Sequence, residues 1–268
     1  MKIKILGTAA AEAWPGIFCN CPTCEQVRKI KGKNIRTRSS IIVDDTCQFD
    51  GGFDNFMHSL YEGVDFTKVR DIFISHEHED HFFPADISIV LYDENISLHC
   101  NQGTINRLLA LEDIPTEYTG VNLVVKGDVI KTKDGHKITA IKAEHNGDQT
   151  DQLNYIIEYK GKTCAYLTDT GLYTDEETWD FLGKFKFDCI ISECTSGWAD
   201  ALPIYHQTFK GVLKLKERLL KMGSITEETP FYITHFSHNC NCPTHEEMER
   251  RANPHNINVC YDGLEIEI

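Results

Sequence analysis

His76-Glu77-His78-Glu79-Asp80-His81 places three imidazoles and the carboxylate of Asp80 within six residues. Imidazole and carboxylate together suit zinc, manganese or iron. The run follows an apolar segment, residues 69–75, that reads as a buried strand. Sharing one loop between two neighbouring metals requires side chains that point in different directions, and a sharp turn at a strand end supplies that. A lone histidine would carry little weight. Four candidate ligands in one loop outweigh the alternative, a solvated acidic turn. Further ligands are expected where later strands give way to loops. His145 follows an apolar run at 138–143, Asp169 follows 164–167, and His235 follows 231–233. Converging strand ends are how one edge of a layered fold builds a site.

A second cluster, Cys19-Asn20-Cys21-Pro22-Thr23-Cys24, packs three thiols into six residues. A closed structural zinc site needs four ligands, so the fourth must come from elsewhere. His238 is the leading candidate, three residues beyond His235 on the same loop. Cys240-Asn241-Cys242-Pro243-Thr244-His245 echoes the first segment, so Cys240 or Cys242 competes with His238, or both help to bind a second ion. His245 is expected in the first turn of a helix. Asp44, Asp45 and Glu12 are expected to face water. The chain has 11 cysteines. Residues 1–7 alternate like a strand and do not read as a signal peptide, so the expectation is a cytoplasmic protein without a disulfide framework. Cys47, Cys164 and Cys189 sit in apolar, strand-like runs and are expected in the core.

The elements that must position these residues alternate between periods of 2 and 3.6. Strands are expected at 2–6, 40–43, 47–50, 69–75, 96–100, 123–125, 129–131, 137–143, 154–159, 163–167, 187–192, 231–234, 257–261 and 264–268. Pro22 opens a short helix, with proline well placed in the first turn. Another short helix runs through Phe56 and Leu60, and others are expected at 86–92, 104–111, 176–182 and 209–222. The last is clearly amphipathic, with Val212, Leu215 and Leu219 at helical spacing. Thr244 caps a final helix, and Glu247 completes a capping-box pattern. The 268 residues contain no Pro- or Ser-rich linker, which favours a single domain over 1–268 with a cysteine-rich zinc loop at about 19–24. Many strands interleaved with helices suggest a layered α/β sandwich. No run approaches ~18 consecutive apolar residues, so no membrane span is expected. The net charge of -14 argues against long DNA or RNA as a partner, which needs a basic face.

His76-x-His78-x-Asp80-His81, followed by His145, Asp169 and His235, resembles the metallo-β-lactamase superfamily over nearly the whole chain. The resemblance implies a four-layer αβ/βα sandwich with a dinuclear metal site at one edge. It implies that His76, His78 and His145 hold one divalent metal (Zn, Mn or Fe), that Asp80, His81 and His235 hold the other, and that Asp169 bridges them. Asp50 matches the early Asp-Gly turn that packs beside this site. Flavodiiron reductases carry Glu where this chain has His78, which disfavours a redox di-iron role. Two cations roughly 3.5–4 Å apart would lower the pKa of a bridging water and clamp a phosphoryl oxygen. The metal-activated hydroxide would attack in line, with Asp80 orienting it while ligating.

The same resemblance singles out two further residues. Superfamily phosphodiesterases carry a histidine at the place of His206 that contacts the phosphate or protonates the leaving oxygen. Glu193 resembles the acid that orients it. The bland alternatives are a surface histidine at a helix start and an ordinary strand-end carboxylate. Free N–H groups at that helix start would also suit an anion. Cys19, Cys21 and Cys24 with His238 resemble the structural zinc site of PhnP-type phosphoribosyl cyclic phosphate phosphodiesterases. PqqB proteins share a similar cysteine segment, but their catalytic ligands are incomplete. The expected function is therefore a metal-dependent phosphodiesterase for a small, including cyclic, phosphodiester, with two active-site metals and one structural Zn. The rivals are a tRNA 3′-end endonuclease, a lactone or thioester hydrolase, and a zinc-stabilised binding module for a phosphorylated metabolite. The endonucleases carry a protruding basic or Gly-rich arm, and no such insert is evident. Homodimers are common among the relatives, so self-association is expected.

Overall fold

The computed structural model describes residues 1–90, 95–111, 120–145, 151–200, 204–240 and 242–268. In chain order the elements are β1 (Lys2–Gly7), α1 (Pro22–Ile30), β2 (Ser40–Val43), β3 (Cys47–Phe49), α2 (Asn55–Tyr61), β4 (Asp71–Ile74), α3 (Pro84–Val90), β5 (Ser97–Cys100), α4 (Gln102–Leu109), β6 (Val121–Leu123), β7 (Val129–Lys131), β8 (Lys137–Lys142), β9 (Leu153–Tyr159), β10 (Lys162–Leu167), α5 (Glu176–Leu182), β11 (Cys189–Glu193), α6 (Phe209–Lys221), β12 (Phe231–Thr234), α7 (His245–Ala252), β13 (Asn258–Val259) and β14 (Glu265–Glu267).

Among the described residues these strands make two seven-stranded sheets, ordered β14-β1-β2-β3-β4-β5-β6 and β13-β12-β11-β10-β9-β8-β7. Strand periodicity dictates how they stack, because alternate side chains leave opposite faces. Ile3, Ile5, Ile41, Val43 and Phe73 of the first sheet join Tyr155, Ile157, Cys164, Tyr166, Cys189 and Ile191 of the second in one buried cluster. The alternate residues face outward onto helices. Ile42, Ile72 and Ile74 pack with Ile87 of α3 and Leu108 of α4. Ile156, Ala165, Leu167 and Ile190 pack with Trp179 of α5, Val212, Leu215 and Leu219 of α6, and Met248 of α7. The result is the four-layer αβ/βα sandwich, and Cys47, Cys164 and Cys189 lie in its inter-sheet core.

Strand direction explains why the candidate ligands meet. β10, β11 and β12 run parallel. β8 is antiparallel to β9, which is antiparallel to β10, so β8 ends on the same edge as β10. β4 runs parallel to β3 and β5. The loops after β4, β8, β10, β11 and β12 carry His76 to His81, His145, Asp169, Thr195 and His235.

Several local expectations are corrected. The strand expected at 123–125 lies at Val121–Leu123, because the Val125 N–H is drawn into a turn by Asp128 Oδ2 at 2.9 Å. The capping box at Thr244 does not form. Glu247 instead pairs with Arg250 and Arg251, and Asn34 Oδ1 accepts the His245 N–H at 2.7 Å. Asp44 does not simply face water, since its Oδ2 lies 2.9 Å from His136 Nε2; Asp45 is exposed. α3 begins at Pro84 and runs to Val90; residues 91 and 92 of the helix expected there lie outside the described residues, as do Leu202, Pro203 and Asn241. Among the described residues no helix is long and apolar enough to cross a membrane.

Candidate metal centre

The seven expected residues assemble into two touching donor groups: His76, His78, His145 and Asp169; and Asp80, His81, Asp169 and His235. In the first, His76 Nε2 lies 2.8 Å from His78 Nδ1 and 3.4 Å from Asp169 Oδ2. His145 Nε2 lies 3.3 Å from His78 Nδ1 and 3.5 Å from Asp169 Oδ2. In the second, His81 Nε2 lies 3.3 Å from Asp80 Oδ2, 3.2 Å from Asp169 Oδ2 and 3.2 Å from His235 Nε2. His235 Nε2 is 3.4 Å from Asp80 Oδ2 and 2.8 Å from Asp169 Oδ1. A tetrahedral ion with bonds of 2.0–2.2 Å sets neighbouring donor atoms about 3.3–3.6 Å apart. Most of these separations fall at that spacing, and Asp169 belongs to both groups.

The opposite ring nitrogens fix which atom faces inward. His145 Nδ1 donates to the Tyr205 carbonyl at 3.1 Å. His81 Nδ1 donates to Asp50 Oδ2 at 2.9 Å. Since a carbonyl and a carboxylate only accept, each ring presents a bare Nε2 lone pair to the centre when neutral. His76 Nδ1 meets Ser75 Oγ at 3.0 Å, and His235 Nδ1 meets Thr195 Oγ1 at 2.6 Å. Lone pairs turned toward one another repel unless a cation or proton lies between them, so this donor set fits divalent metals.

The backbone is specialised at the same place. Asp50, Asp169 and His235 have φ of 59°, 40° and 57°, a region non-glycine residues enter at a cost and keep where the surroundings hold them. Gly52 lies against the metal loop, and a Cβ there would sit 2.4 Å from the Asp80 carbonyl oxygen. Gly52→Ala should therefore push the Asp80 loop away, lowering stability by about 1–3 kcal/mol and weakening the second donor group. Chemical denaturation with metal analysis of the purified protein checks both effects.

Glu193 is fully buried at the end of β11. It accepts from the backbone N–H of Thr170, Thr195 and Gln207 at 2.8, 2.9 and 3.1 Å, and from His206 Nδ1 at 2.9 Å. It is not an ordinary strand-end carboxylate. His206 is partly exposed, its Nδ1 lies 3.9 Å from Asp169 Oδ1, and its ring centroid is 4.7 Å from that of His145. The glutamate thus engages Nδ1 and turns the histidine's remaining nitrogen away from itself, with the ring held beside His145. Burial works against charge on His206, but Glu193 outweighs it and raises the pKa above the usual histidine value.

Cys19, Cys21, Cys24 and His238 form a third donor group. Cys21 Sγ lies 4.0 Å from His238 Nδ1. A Cβ at Gly16 would meet His238 Nε2 at 2.7 Å, so glycine admits the imidazole. Neither Cys240, Cys242 nor His245 belongs to the group. Cys242 is buried in the helix-covered core, and His245 opens α7 with its ring between Arg36 and Glu249. Glu12, expected to face water, has a carboxylate oxygen 2.8 Å from His238 Nε2.

A model of the β-lactamase superfamily domain matches residues 48–236. The chain belongs to the metallo-β-lactamase superfamily. Among solved structures, this superfamily member resembles a diphosphatase of the PhnP family at 22% identity and TM-score 0.77, covering 100% of this chain and 97% of that one. It resembles zinc-bound PqqB from Methylobacterium extorquens at 14% identity and TM-score 0.77, covering 100% of both chains. Human tRNase Z, short form, matches at 17% identity and TM-score 0.66, over 100% of this chain and 99% of that one. At these identities the likeness is one of fold. No curated protein sequence matches the chain significantly.

The superfamily member's own charges set the competition a cation must win. Burial opposes charge on His81 and His235, yet Asp169 and Asp80 outweigh it, raising His81 well above the usual range and His235 to about 10. Against burial, His235 and His81 hold Asp169 and Asp80 well below the usual carboxylate range. Burial lowers His145 to about 4. Cation binding to Asp80, His81 and His235 must therefore expel protons from raised histidines. Affinity for this group should climb through the neutral range by about tenfold per pH unit for each proton expelled, which competition with a chelator at several pH values measures.

Some supporting residues escaped the sequence. Arg107 on α4 donates to the Glu77 carbonyl at 2.9 Å and pairs with Glu79, tying down the metal loop. Nothing local links a helix residue to a loop 30 positions earlier. Thr195 was more legible, since Ser192-Glu193-Cys194-Thr195 is a polar run at a strand end.

Proposed function

We propose that this hydrolase is a metal-dependent phosphodiesterase acting on a small phosphodiester, cyclic phosphates and nucleotides included. The observation that carries the reading is the His206–Glu193 pair beside the donor groups. Lactone or thioester hydrolysis needs the donor groups but no charged histidine at that place. In this reading His76, His78, His145 and Asp169 hold one cation, Asp80, His81, His235 and Asp169 hold the other, and Zn, Mn and Fe all suit the set. When bound, such a pair supplies a nucleophile at neutral pH and neutralises charge on the phosphoryl oxygens. Asp80 orients the attacking water. His206 delivers its proton to the departing oxygen, and Glu193 keeps that proton on the ring until then. The general-acid role suits a leaving alkoxide, whose own pKa is far above neutrality.

The likeness to a PhnP-family diphosphatase supports phosphoryl chemistry, and extends it to a phosphate as leaving group. A net charge of -14 disfavours a tRNA substrate relative to a small one. Cys19, Cys21, Cys24 and His238 would hold a structural Zn. Self-association as a homodimer belongs to the same reading, and light scattering showing only monomer would overturn that part.

The test is hydrolysis of bis(p-nitrophenyl) phosphate by protein shown to carry two ions, with Mn²⁺ or Zn²⁺ supplied. Turnover that a chelator abolishes and metal restores is the expected result. No turnover with any divalent metal would sink the proposal and favour a binding module, which ligand-induced stabilisation without hydrolysis would then reveal.

A further inference from the structure

The cysteine group and the His/Asp groups share one loop. His235 is a donor in one, and His238, three residues on, is a donor in the other. The backbone between them is clamped from two sides. The Phe236 N–H donates to the Thr8 carbonyl at 2.9 Å, the Ala10 N–H to the Phe236 carbonyl at 3.0 Å, and the Ser237 N–H to the Thr195 carbonyl at 3.3 Å. Thr195 also holds the His235 ring through its hydroxyl.

The clamp continues into the thiol loop. Phe236 is fully buried, and the Arg36 guanidinium lies 4.6 Å from its ring centre. Arg36 is itself buried and donates to Thr8 Oγ1 and the Cys260 carbonyl, each at 2.7 Å. Its backbone pairs with Trp14 through two bonds of 2.8 Å. Two residues after Trp14, the Gly16 N–H reaches Cys24 Sγ at 3.4 Å, and the Gly16 carbonyl accepts from Arg28 at 2.7 Å. A chain of close-packed contacts thus runs from the thiols to His235. Packed elements of this kind move together and cannot deform smoothly. His235 also holds a left-handed backbone, which persists only under such support.

We propose that filling the Cys19/Cys21/Cys24/His238 group holds His235 in its ligating position, so that the two kinds of metal site bind cooperatively through the 235–238 loop. The inference rests on the reading above that the His/Asp groups take cations. Arg36 and Phe236 act as positioning residues in this coupling. Ligation by His238 removes freedom from the loop, and the second donor group then gains its fourth ligand without ordering it. Linkage requires the effect to be reciprocal.

Donor chemistry allows the test in the wild-type protein. Cd²⁺ prefers thiolates, and Mn²⁺ prefers imidazole and carboxylate. Demetallated full-length protein is titrated with Mn²⁺ by electron paramagnetic resonance, with and without one equivalent of Cd²⁺. Thiolate-to-metal ultraviolet absorption reports that Cd²⁺ has entered the cysteine group. Cd²⁺ should tighten the weaker Mn²⁺ step by about tenfold or more, and Mn²⁺ should tighten Cd²⁺ by the same factor. His238→Ala should abolish the effect while leaving the stronger Mn²⁺ step, assigned to His76, His78 and His145, unchanged. Mn²⁺ affinities equal within about twofold with and without Cd²⁺ would overturn the coupling alone. Failure of the wild type to bind Mn²⁺, Zn²⁺ or Fe²⁺ at the His/Asp groups would overturn the functional reading and the coupling with it.

Discussion

Asp169→Asn should leave a folded protein that has lost almost all hydrolysis, by about 10³-fold or more. Asp169 is the only residue common to both His/Asp donor groups among the described residues. It is buried, and its two oxygens lie 2.8–3.5 Å from His235, His81, His76 and His145. In the proposed reading, replacing it would remove the one anion that both cations would share. The contribution of such a pair to charge stabilisation is several kcal/mol, and each ~1.4 kcal/mol is tenfold in rate. Elemental analysis should show the bound metal falling from two ions per His/Asp centre to one or none. A variant that kept both ions and its rate would show that the shared position of Asp169 is structural. The substitution also removes the main support for the charged form of His235, so the raised pKa of that ring should drop. Imidazole NMR signals report this directly.

His206→Ala should lower kcat by about 10²–10⁴-fold on substrates with an alkoxide leaving group. The effect should be far smaller on bis(p-nitrophenyl) phosphate, because nitrophenolate departs without a proton. Metal content of the two groups that contain Asp169 should not change, since His206 is grouped instead with Glu193 and His235. An equal loss on both kinds of substrate would show that the histidine binds phosphate and does not protonate. Glu193→Gln gives the companion test in pH. Burial opposes the charged imidazole and Glu193 favours it, with a net upward shift. The acid must be protonated to act, so activity falls as pH rises through the His206 pKa. Removing the carboxylate's charge lowers that pKa, and the alkaline limb of kcat/KM should move to lower pH. A limb that stayed in place would assign it to another group. Because Glu193 also accepts three backbone N–H groups, glutamine is preferred to alanine, which would leave those donors unpaired.

The His/Asp donor set was legible in the linear chain for a local reason. Apolar runs of period two end abruptly, and His76, His145, Asp169 and His235 stand just beyond those ends. A strand end is visible without knowing the fold, and parallel strands bring their ends to one edge. The core was legible by the same alternation, as Ile41, Ile42 and Val43 show by dividing between two clusters. Local turns were read less well, because Asp128 redirects the Val125 N–H and two arginines draw Glu247 away from the helix cap.

His238 stood first in the sequence as the residue to complete the cysteine group, but only the tertiary structure shows what brings it there. Cys21 and His238 are 217 positions apart, and the sequence left Cys240 or Cys242 in competition with His238. The choice fell to packing, which buries Cys242 in the core and opens room for His238 over Gly16. Likewise the sequence named Glu193 and His206 only by resemblance, and left each a bland alternative. Their pairing depends on how β11 and the loop before α6 approach each other in space. Periodicity encodes which face a side chain leaves from, and where an element stops. It does not encode the distance between two elements, and proton positions, charge and metal affinity all depend on that distance.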